Sequence, residues 1–307
     1  MKIGFIGLGK MGGNMVSRIL KAGHQVVVLD LNKNAVMAAV QAGAQAAADR
    51  ADLVKKLITV NTSNTPVPVI WMMIPAQYVD TELDALLPLL PEQAILVDGG
   101  NSDYRLTQKR AEHCAERKVH LIDVGTSGGI LGLENGYAMM AGGDTDAVNT
   151  LAPILDTLAP PGGWHHFGPS GSGHYTKMVH NAIEYGVMEA YAEGYRMLKE
   201  GPISGIDLAA AGEVWQHGSI IESLLNRLTA EAVAENSEMN DITGFVSESG
   251  ETRWALETAK DLRIPLPAIE ESFNVRLRSQ KGETNYATKL LAAMRNKFGG
   301  HAINGQK

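Results

Sequence analysis

In the first half of the chain, short apolar runs alternate with amphipathic stretches, the pattern of a parallel sheet wrapped by helices. The spacing predicts strands at Lys2–Ile6, Gln25–Asp30, Val67–Ile74, Ala94–Asp98 and Val119–Val124, with helices such as Lys10–Ala22, Tyr78–Leu87 and Asp103–Arg117 between them. A strand at Tyr137–Ala141 and a helix at Thr145–Leu158 close this part. Residues 159–173 are dense in glycine and proline and read as a loop or domain junction. Beyond them strand signals nearly vanish: a long helix is expected from Gly173 to Glu200, followed by further helices to the end of the chain. The expected architecture is α/β, an N-terminal Rossmann-type doubly wound sheet over residues 1–165 and an all-α C-terminal domain over 166–307. A length of 307 residues favours two such domains over one core.

The first strand runs into Gly7-Leu8-Gly9-Lys10-Met11-Gly12 and then into an amphipathic helix, which is G-x-G-x-x-G in the context that gives it meaning. The first glycine permits the tight turn, the second lets backbone approach a pyrophosphate, and the third lets helix and strand pack closely. The helix N-terminus then offers free N–H groups and the positive end of its dipole to the phosphates. Asp30 ends the second strand, where a carboxylate accepts hydrogen bonds from the ribose hydroxyls of NAD and repels a 2′-phosphate. Lys33 tempers that repulsion, so NAD is the expected cofactor and NADP the second option. The plainer alternative for Asp30 is a helix N-cap.

The segment Lys177-Met178-Val179-His180-Asn181-Ala182-Ile183-Glu184-Tyr185 carries a different kind of signal. At about 100° per residue, His180, Asn181, Glu184 and Tyr185 fall roughly 300°, 40°, 340° and 80° from Lys177, so five polar groups share one stripe. A solvated face mixes repeated small or charged residues. This stripe holds Lys, His, Asn, Glu and Tyr once each, a set suited to binding and proton transfer. A salt-bridged surface face remains the alternative. Two further turns, Asp98-Gly99-Gly100-Asn101-Ser102 and Asp123-Val124-Gly125-Thr126-Ser127-Gly128-Gly129, follow strands at the sheet edge where α/β proteins bind ligands.

Composition narrows the classes. Apolar residues at 45% and charged residues at 20% are ordinary for a globular protein, and no apolar run approaches the ~18 residues of a membrane span. Met1–Ile6 reads as a strand meeting glycines and not as a secretory signal, so a cytoplasmic location is expected. The single cysteine, Cys114, excludes an internal disulfide and is expected to be structural. A net charge of −7 argues against nucleic acid as partner. His165, His166, His174 and His180 have no acidic or cysteine partner at ligand spacing, so no metal is expected.

Taken together, Ile6–Asn14, Asp98–Ser102, Ser127–Gly129 and Gly173–Tyr185 resemble, in order, the signatures of the decarboxylating 6-phosphogluconate dehydrogenases in their short bacterial form. The resemblance runs nearly end to end, and His-Asn-x-x-Glu-Tyr separates it from other β-hydroxyacid dehydrogenases. It implies that 6-phosphogluconate is oxidised and decarboxylated to ribulose 5-phosphate without a metal. Lys177 would be the base and then acid, and Glu184 the later proton donor. It implies cofactor contacts from Gly7, Leu8, Gly9, Lys10, Met11, Gly12, Asp30 and Asn101. Substrate contacts would come from Asn101, Ser127, Gly128, Gly129, His180, Asn181 and Tyr185, with Arg276, Arg295 and His301 as further ligands. In the long form the tail matching Arg295 and His301 enters the neighbouring subunit's site, so a homodimer or homotetramer is expected. Two departures stand out. Ser249 replaces a phosphate-contacting lysine, leaving Arg253 as a candidate substitute, and Asp30-Leu31 replaces the Asn-Arg that holds a 2′-phosphate. The alternatives are another β-hydroxyacid dehydrogenase, of the 3-hydroxyisobutyrate or tartronate semialdehyde type, and a dinucleotide-sensing protein without turnover.

Overall fold

In the computed structural model, which describes residues 1–58 and 67–303, the apolar runs of the first half pair into one eight-stranded sheet. In chain order the strands are β1 (Lys2–Ile6), β2 (Gln25–Leu29), β3 (Gln45–Ala46), β4 (Val69–Met72), β5 (Ile95–Asp98), β6 (His120–Ser127), β7 (Ala138–Gly142) and β8 (Trp164–His166). They lie side by side as β3-β2-β1-β4-β5-β6-β7-β8, parallel throughout except for the β6–β7 pair. Parallel neighbours require crossovers, which the helices α1 (Lys10–Lys21), α2 (Lys33–Gln41), α3 (Arg50–Ile58), α4 (Val79–Leu86) and α5 (Tyr104–Ala115) supply, with α6 (Gly132–Asn135) and α7 (Thr145–Leu158) completing the set. The strand order reverses at β1, whose neighbours are β2 and β4, and ligands of open α/β sheets bind at the carboxyl ends there.

Both faces of the central strands are covered, which is why they read as unbroken apolar runs. Phe5, Trp71, Val97 and Ile122 point into one core and Ile6, Ile70, Leu96 and Leu121 into the other. Cys114 lies in the second core, and burial pushes its thiol up to about 12, so it packs as a small apolar group. One expectation is corrected here. The Gly/Pro-rich stretch 159–173 is not all loop: Trp164–His166 forms β8, parallel to β7. Three residues are too few for a period-2 pattern to register.

The chain divides into two units, residues 1–178 and 179–307, and the division falls inside the long helix α8 (Ser172–Glu200). The second unit continues with α9 (Leu208–Trp215), α10 (Leu224–Glu235), α11 (Glu251–Leu262), α12 (Pro267–Ser279) and α13 (Tyr286–Gly299), and no strand is found among its described residues. Its core joins Met188, Ala192 and Tyr195 of α8 to Leu228 and Val233 of α10 and to Leu290, Leu291 and Met294 of α13. Asn285 and Thr288 close a reciprocal capping box at the start of α13.

One polar residue is embedded in this packing. Asn226 is fully buried; its amide donates to the Gly212 carbonyl at 2.9 Å and to Gln216 at 2.8 Å, and its oxygen accepts from the Tyr195 hydroxyl at 3.2 Å. Removing a buried partner costs the desolvation of the groups left behind, about 1–3 kcal/mol. Asn226→Ala is therefore expected to lower the unfolding free energy by about that amount, read from the urea midpoint. An unchanged midpoint would show that water replaces the amide.

Candidate active site

The turn after β1 has the shape its glycines were expected to give. Gly7 has a φ of +95°, a backbone conformation that favours glycine. A Cβ on Gly12 would lie 2.1 Å from the Gly7 carbonyl oxygen, so α1 can pack this closely only with hydrogen there. Gly9 is the N-cap of α1; no side chain caps that end, and its first turn carries no acidic residue. Helices α2, α5 and α7 are by contrast capped by their own Asn32, Asp103 and Asp144. Leu8 is buried, Met11 half-buried and Lys10 exposed at the first turn of α1. The donor set and the open space beside Gly9 fit a dinucleotide pyrophosphate.

Asp30 is not a helix cap. Its carboxylate accepts the Leu8 N–H and, at 2.6 Å, the Asn32 N–H, while Asn32 caps α2. The β2 carboxylate is thereby tied to the glycine turn itself. Leu31 is fully exposed and Lys33 exposed.

The other strands of this edge end in turns of their own. After β5, Asp98 accepts the Gly100 N–H at 3.2 Å and the Ser102 hydroxyl at 2.7 Å, which leaves Asn101 exposed between them. Buried Arg110 locks this turn from α5: it bonds Asp80 at 2.6 and 3.0 Å, Ser102 at 3.2 Å and the Ala76 carbonyl at 3.1 Å, and lies 3.6 Å from Asp98. Ser127 ends β6, with Gly128 and Gly129 half-buried beyond it.

The start of α8 is docked on β6. Asp123, fully buried, accepts the N–H groups of Gly171 at 2.7 Å and His174 at 2.8 Å, and the His174 ring bonds Thr107 at 2.8 Å. A Cβ on Gly173 would sit 2.3 Å from the Met140 carbonyl oxygen, and one on Gly125 would sit 2.3 Å from the Lys177 Cβ. The stem of buried Lys177 thus rests directly on the β6 backbone. His166 spends its Nε2 on the Gly143 and Gly168 carbonyls, at 2.9 and 2.8 Å.

In the second unit the polar stripe of α8 continues with a cluster from α11, α12 and α13. His180 bonds the Asn181 oxygen at 2.9 Å and lies 3.8 Å from the Glu184 carboxylate. Asn181, buried, donates to Glu251 of α11 at 2.8 Å. The Tyr185 hydroxyl bonds the Ser249 N–H at 3.3 Å and lies 3.4 Å from its hydroxyl. Arg276 of α12 is 1% exposed, with its guanidinium 3.2 Å from the centre of the Tyr185 ring; burial pulls it down to about 10. Arg295 of α13 is buried beside the same groups, bonds Ser247 at 3.0 Å and is also lowered by burial. His301 is exposed with its ring edge-on to Phe298. Arg253 does not join the cluster's cations. Its guanidinium is held by Glu248 at 2.8 and 3.2 Å, half exposed and over the Phe273 ring.

The face of α8 opposite the stripe is apolar and exposed at Val179, Ile183 and Val187, so this helix turns its polar side inward. Asp123, Arg110, Glu251 and Ser247 were not singled out from the sequence as site residues. Asp123, Glu251 and Ser247 sit far along the chain from the residues they hold, and only for Asp123 did a glycine-rich turn give a hint.

A parallel sheet with a glycine turn at its switch point, followed by a helical unit, defines a nucleotide-dependent oxidoreductase of the two-domain kind. Residues 2–168 match the NAD binding domain of 6-phosphogluconate dehydrogenase, and residues 173–301 match the 6-phosphogluconate dehydrogenase C-terminal domain. The NAD(+)-dependent, decarboxylating 6-phosphogluconate dehydrogenase of Haloferax volcanii is 40% identical over 306 residues, covering 99% of this chain and 98% of that one. The decarboxylating enzyme of Staphylococcus aureus is 33% identical over 97% of this chain but 66% of its own length. Among solved structures, Plasmodium falciparum 6-phosphogluconate dehydrogenase superposes with a TM-score of 0.80 at 25% identity, over 96% of this chain and 70% of that one. Mycobacterium tuberculosis 3-hydroxyisobutyrate dehydrogenase, at 17% identity and a TM-score of 0.72, shares the fold. This chain belongs to the 6-phosphogluconate dehydrogenase family.

The close approach at Gly12 gives a direct test of the turn. Gly12→Ala is expected to raise the dissociation constant for NAD by at least about tenfold, since a 1.4 kcal/mol distortion suffices for that. Titration by quenching of protein fluorescence measures it, and unaltered affinity would show that the turn tolerates the methyl group.

Proposed function

We propose that this protein oxidises and decarboxylates 6-phosphogluconate to ribulose 5-phosphate and CO₂, with NAD preferred over NADP. What supports the reading most is that Lys177 and Glu184 lie seven residues apart on one continuous helix, with Asn181 between them. Seven residues are two turns, about 10 Å of axis, so an amine and a carboxyl share one face within reach of a single sugar acid. A plain hydride transfer needs no second proton donor; a decarboxylation that ends in a protonated carbon does.

Bound NAD would supply the hydride acceptor. Lys177 takes the proton of the substrate's 3-hydroxyl at its Nζ as that carbon is oxidised to a ketone. As CO₂ leaves, the electron pair of the broken C1–C2 bond moves into an enediol, and Lys177 returns its proton to the ketone oxygen. Glu184 then protonates the carbon that becomes C1 of ribulose 5-phosphate, while Lys177, neutral after its donation, takes the enol hydroxyl proton back and the ketone re-forms. General acid and base groups of this kind contribute on the order of 10²–10⁴-fold each. Gly125 supports this use of Lys177, since a lysine stem seated on backbone loses less freedom when its amine engages substrate.

Asn101, Ser127, Gly128 and Gly129 would hold the sugar acid from the sheet edge, and His180, Asn181 and Tyr185 from the helix. Its phosphate would be met by Arg276 and Arg295, with His301 as a further ligand; arginine's planar fork suits two phosphate oxygens at once. With Ser249 in place of a lysine and Arg253 spent on Glu248, these two buried arginines carry the phosphate's charge. Asp30 would accept the ribose hydroxyls of NAD and repel a 2′-phosphate.

The deciding experiment is a steady-state assay of 6-phosphogluconate with NAD and NADP side by side, following CO₂ release. Equimolar CO₂ and NADH are expected, and turnover of 3-hydroxyisobutyrate in place of 6-phosphogluconate would overturn the reading. Lys177→Ala is expected to lower kcat on the order of 10²–10⁴-fold; full turnover would remove it from the chemistry. Asp30→Ala should raise KM for NAD and shrink the preference over NADP by about tenfold, the equivalent of one lost hydrogen bond. Unchanged constants with both cofactors would take Asp30 out of the argument.

A further inference from the structure

Glu189 is a buried carboxyl that the reaction above does not use. It lies one turn beyond Tyr185 on α8, and at about 100° per residue Tyr185, Met188 and Glu189 share one face of that helix. Arg276 lies against this surface: its guanidinium is over the Tyr185 ring at 3.2 Å and its Nη2 is 3.7 Å from the Met188 sulfur. Both side chains are left incomplete. The Arg276 Nε and the Glu189 Oε2 are buried without a hydrogen-bond partner. A guanidinium that is 1% exposed and bonded only to a thioether is poorly held, because burying an uncompensated charge costs several kcal/mol.

The charges around Glu189 are few. Its own helix brings Glu193, and α12 brings Arg276, Arg278 and Glu271, of which Arg278 is already paired with Glu271. Arg295 of α13 and Glu184 act on Arg276. Among the described residues, Arg276 is thus a buried cation acting on Glu189 with no carboxylate bonded to it. Burial first, then Glu193, pushes the Glu189 carboxyl up to about 7, against the pull of Arg276 and Arg278.

We propose that Glu189 is a positioning residue for Arg276: its carboxylate is the counter-charge of the guanidinium in the free protein, and it takes up a proton when the substrate's phosphate claims that guanidinium. The inference rests on the reading of Arg276 as a phosphate ligand. An anionic Glu189 competes with phosphate for Arg276, whereas a protonated one yields it. Phosphate affinity is then highest when Glu189 is protonated and falls as rising pH ionises it, by at most tenfold per pH unit, the ceiling for one linked proton. The linkage also sets the stability. The raised carboxyl favours the fold fully below its unfolded value of 4.5 and loses that contribution as pH rises through about 7.

The test is the pH dependence of KM and kcat for 6-phosphogluconate in the wild type and in Glu189→Gln, which fixes the protonated form. KM of the wild type is expected to rise on the order of threefold to tenfold between pH 7 and 8, and KM of Glu189→Gln to stay flat, with kcat nearly equal in both. A residue with a purely structural role would move both constants or neither. Parallel KM profiles in the two proteins overturn the proposal while leaving the activity reading intact. Calorimetric titration of the wild type with 6-phosphogluconate at pH 7.5, in two buffers of different ionisation enthalpy, gives an answer even if the variant folds poorly. Net proton uptake is expected, and equal heats in the two buffers overturn the proposal. Absence of any 6-phosphogluconate binding or turnover removes the functional reading instead, and this inference with it.

Discussion

Asp123 at β6 accepts two N–H groups from the segment that opens α8, and much of the proposed chemistry hangs from that contact. Hydrogen bonds to a charged group are worth about 1.5–3 kcal/mol each, and a carboxylate at a helix N-terminus gains further from the helix dipole. The contact requires the helix to press against the sheet, which the absence of side chains at Gly173 and Gly125 allows. It holds the first turn of α8 against β6. Lys177 belongs to this docked part of the helix, its stem against Gly125. Lys177 follows within a turn and a half, and Glu184 two turns later.

A helix docked in this way need not follow the usual rule of apolar side inward. The polar face of α8 has partners waiting: Glu251 for Asn181, the Ser249 backbone for Tyr185 and the Gly125 surface for the Lys177 stem. Buried polar groups are tolerable when they are bonded and costly when they are not. Nearly all of the stripe meets that condition, while Val179, Ile183 and Val187 are left to the outside. The same stretch still buries Met178 and Ala182, and the core of the helical unit takes up Met188, Ala192 and Tyr195 further along.

How much of this was legible in the sequence depended on distance along the chain. The glycine turn and the five polar residues of α8 are local patterns, governed by one turn of strand-to-helix geometry and by one helical period, and so they could be read directly. The central strands were readable for the same reason, since burial on both faces leaves apolar runs. β8 was not, because three residues in a Gly/Pro-rich stretch carry no period. Asp123 was visible only as the first residue of a glycine-rich turn, and its bond to a helix that begins 49 residues later was not. The pairing of Asn181 with Glu251 spans 70 residues and the packing of Arg276 on Tyr185 spans 91, and no local rule connects such positions. Asp30 was readable as a cofactor residue but not as the acceptor of the Leu8 N–H, which ties the end of β2 to the glycine turn.

The buried arginines give the carboxyls of the helical unit a task as counter-charges. Arg276 and Arg295 are both more than nine-tenths shielded from solvent, and burial lowers both while Arg295 adds its own repulsion to Arg276. Arg276 is lowered only to about 10, so its positive charge persists in a space with little water. In the proposed reading the cost of the two arginines falls when the substrate's phosphate arrives, because one dianion compensates both at once. Without it, Glu184, Glu189 and Glu251 are the nearby compensation. The same pair of buried cations is what the proposed reading uses to hold a phosphorylated acid.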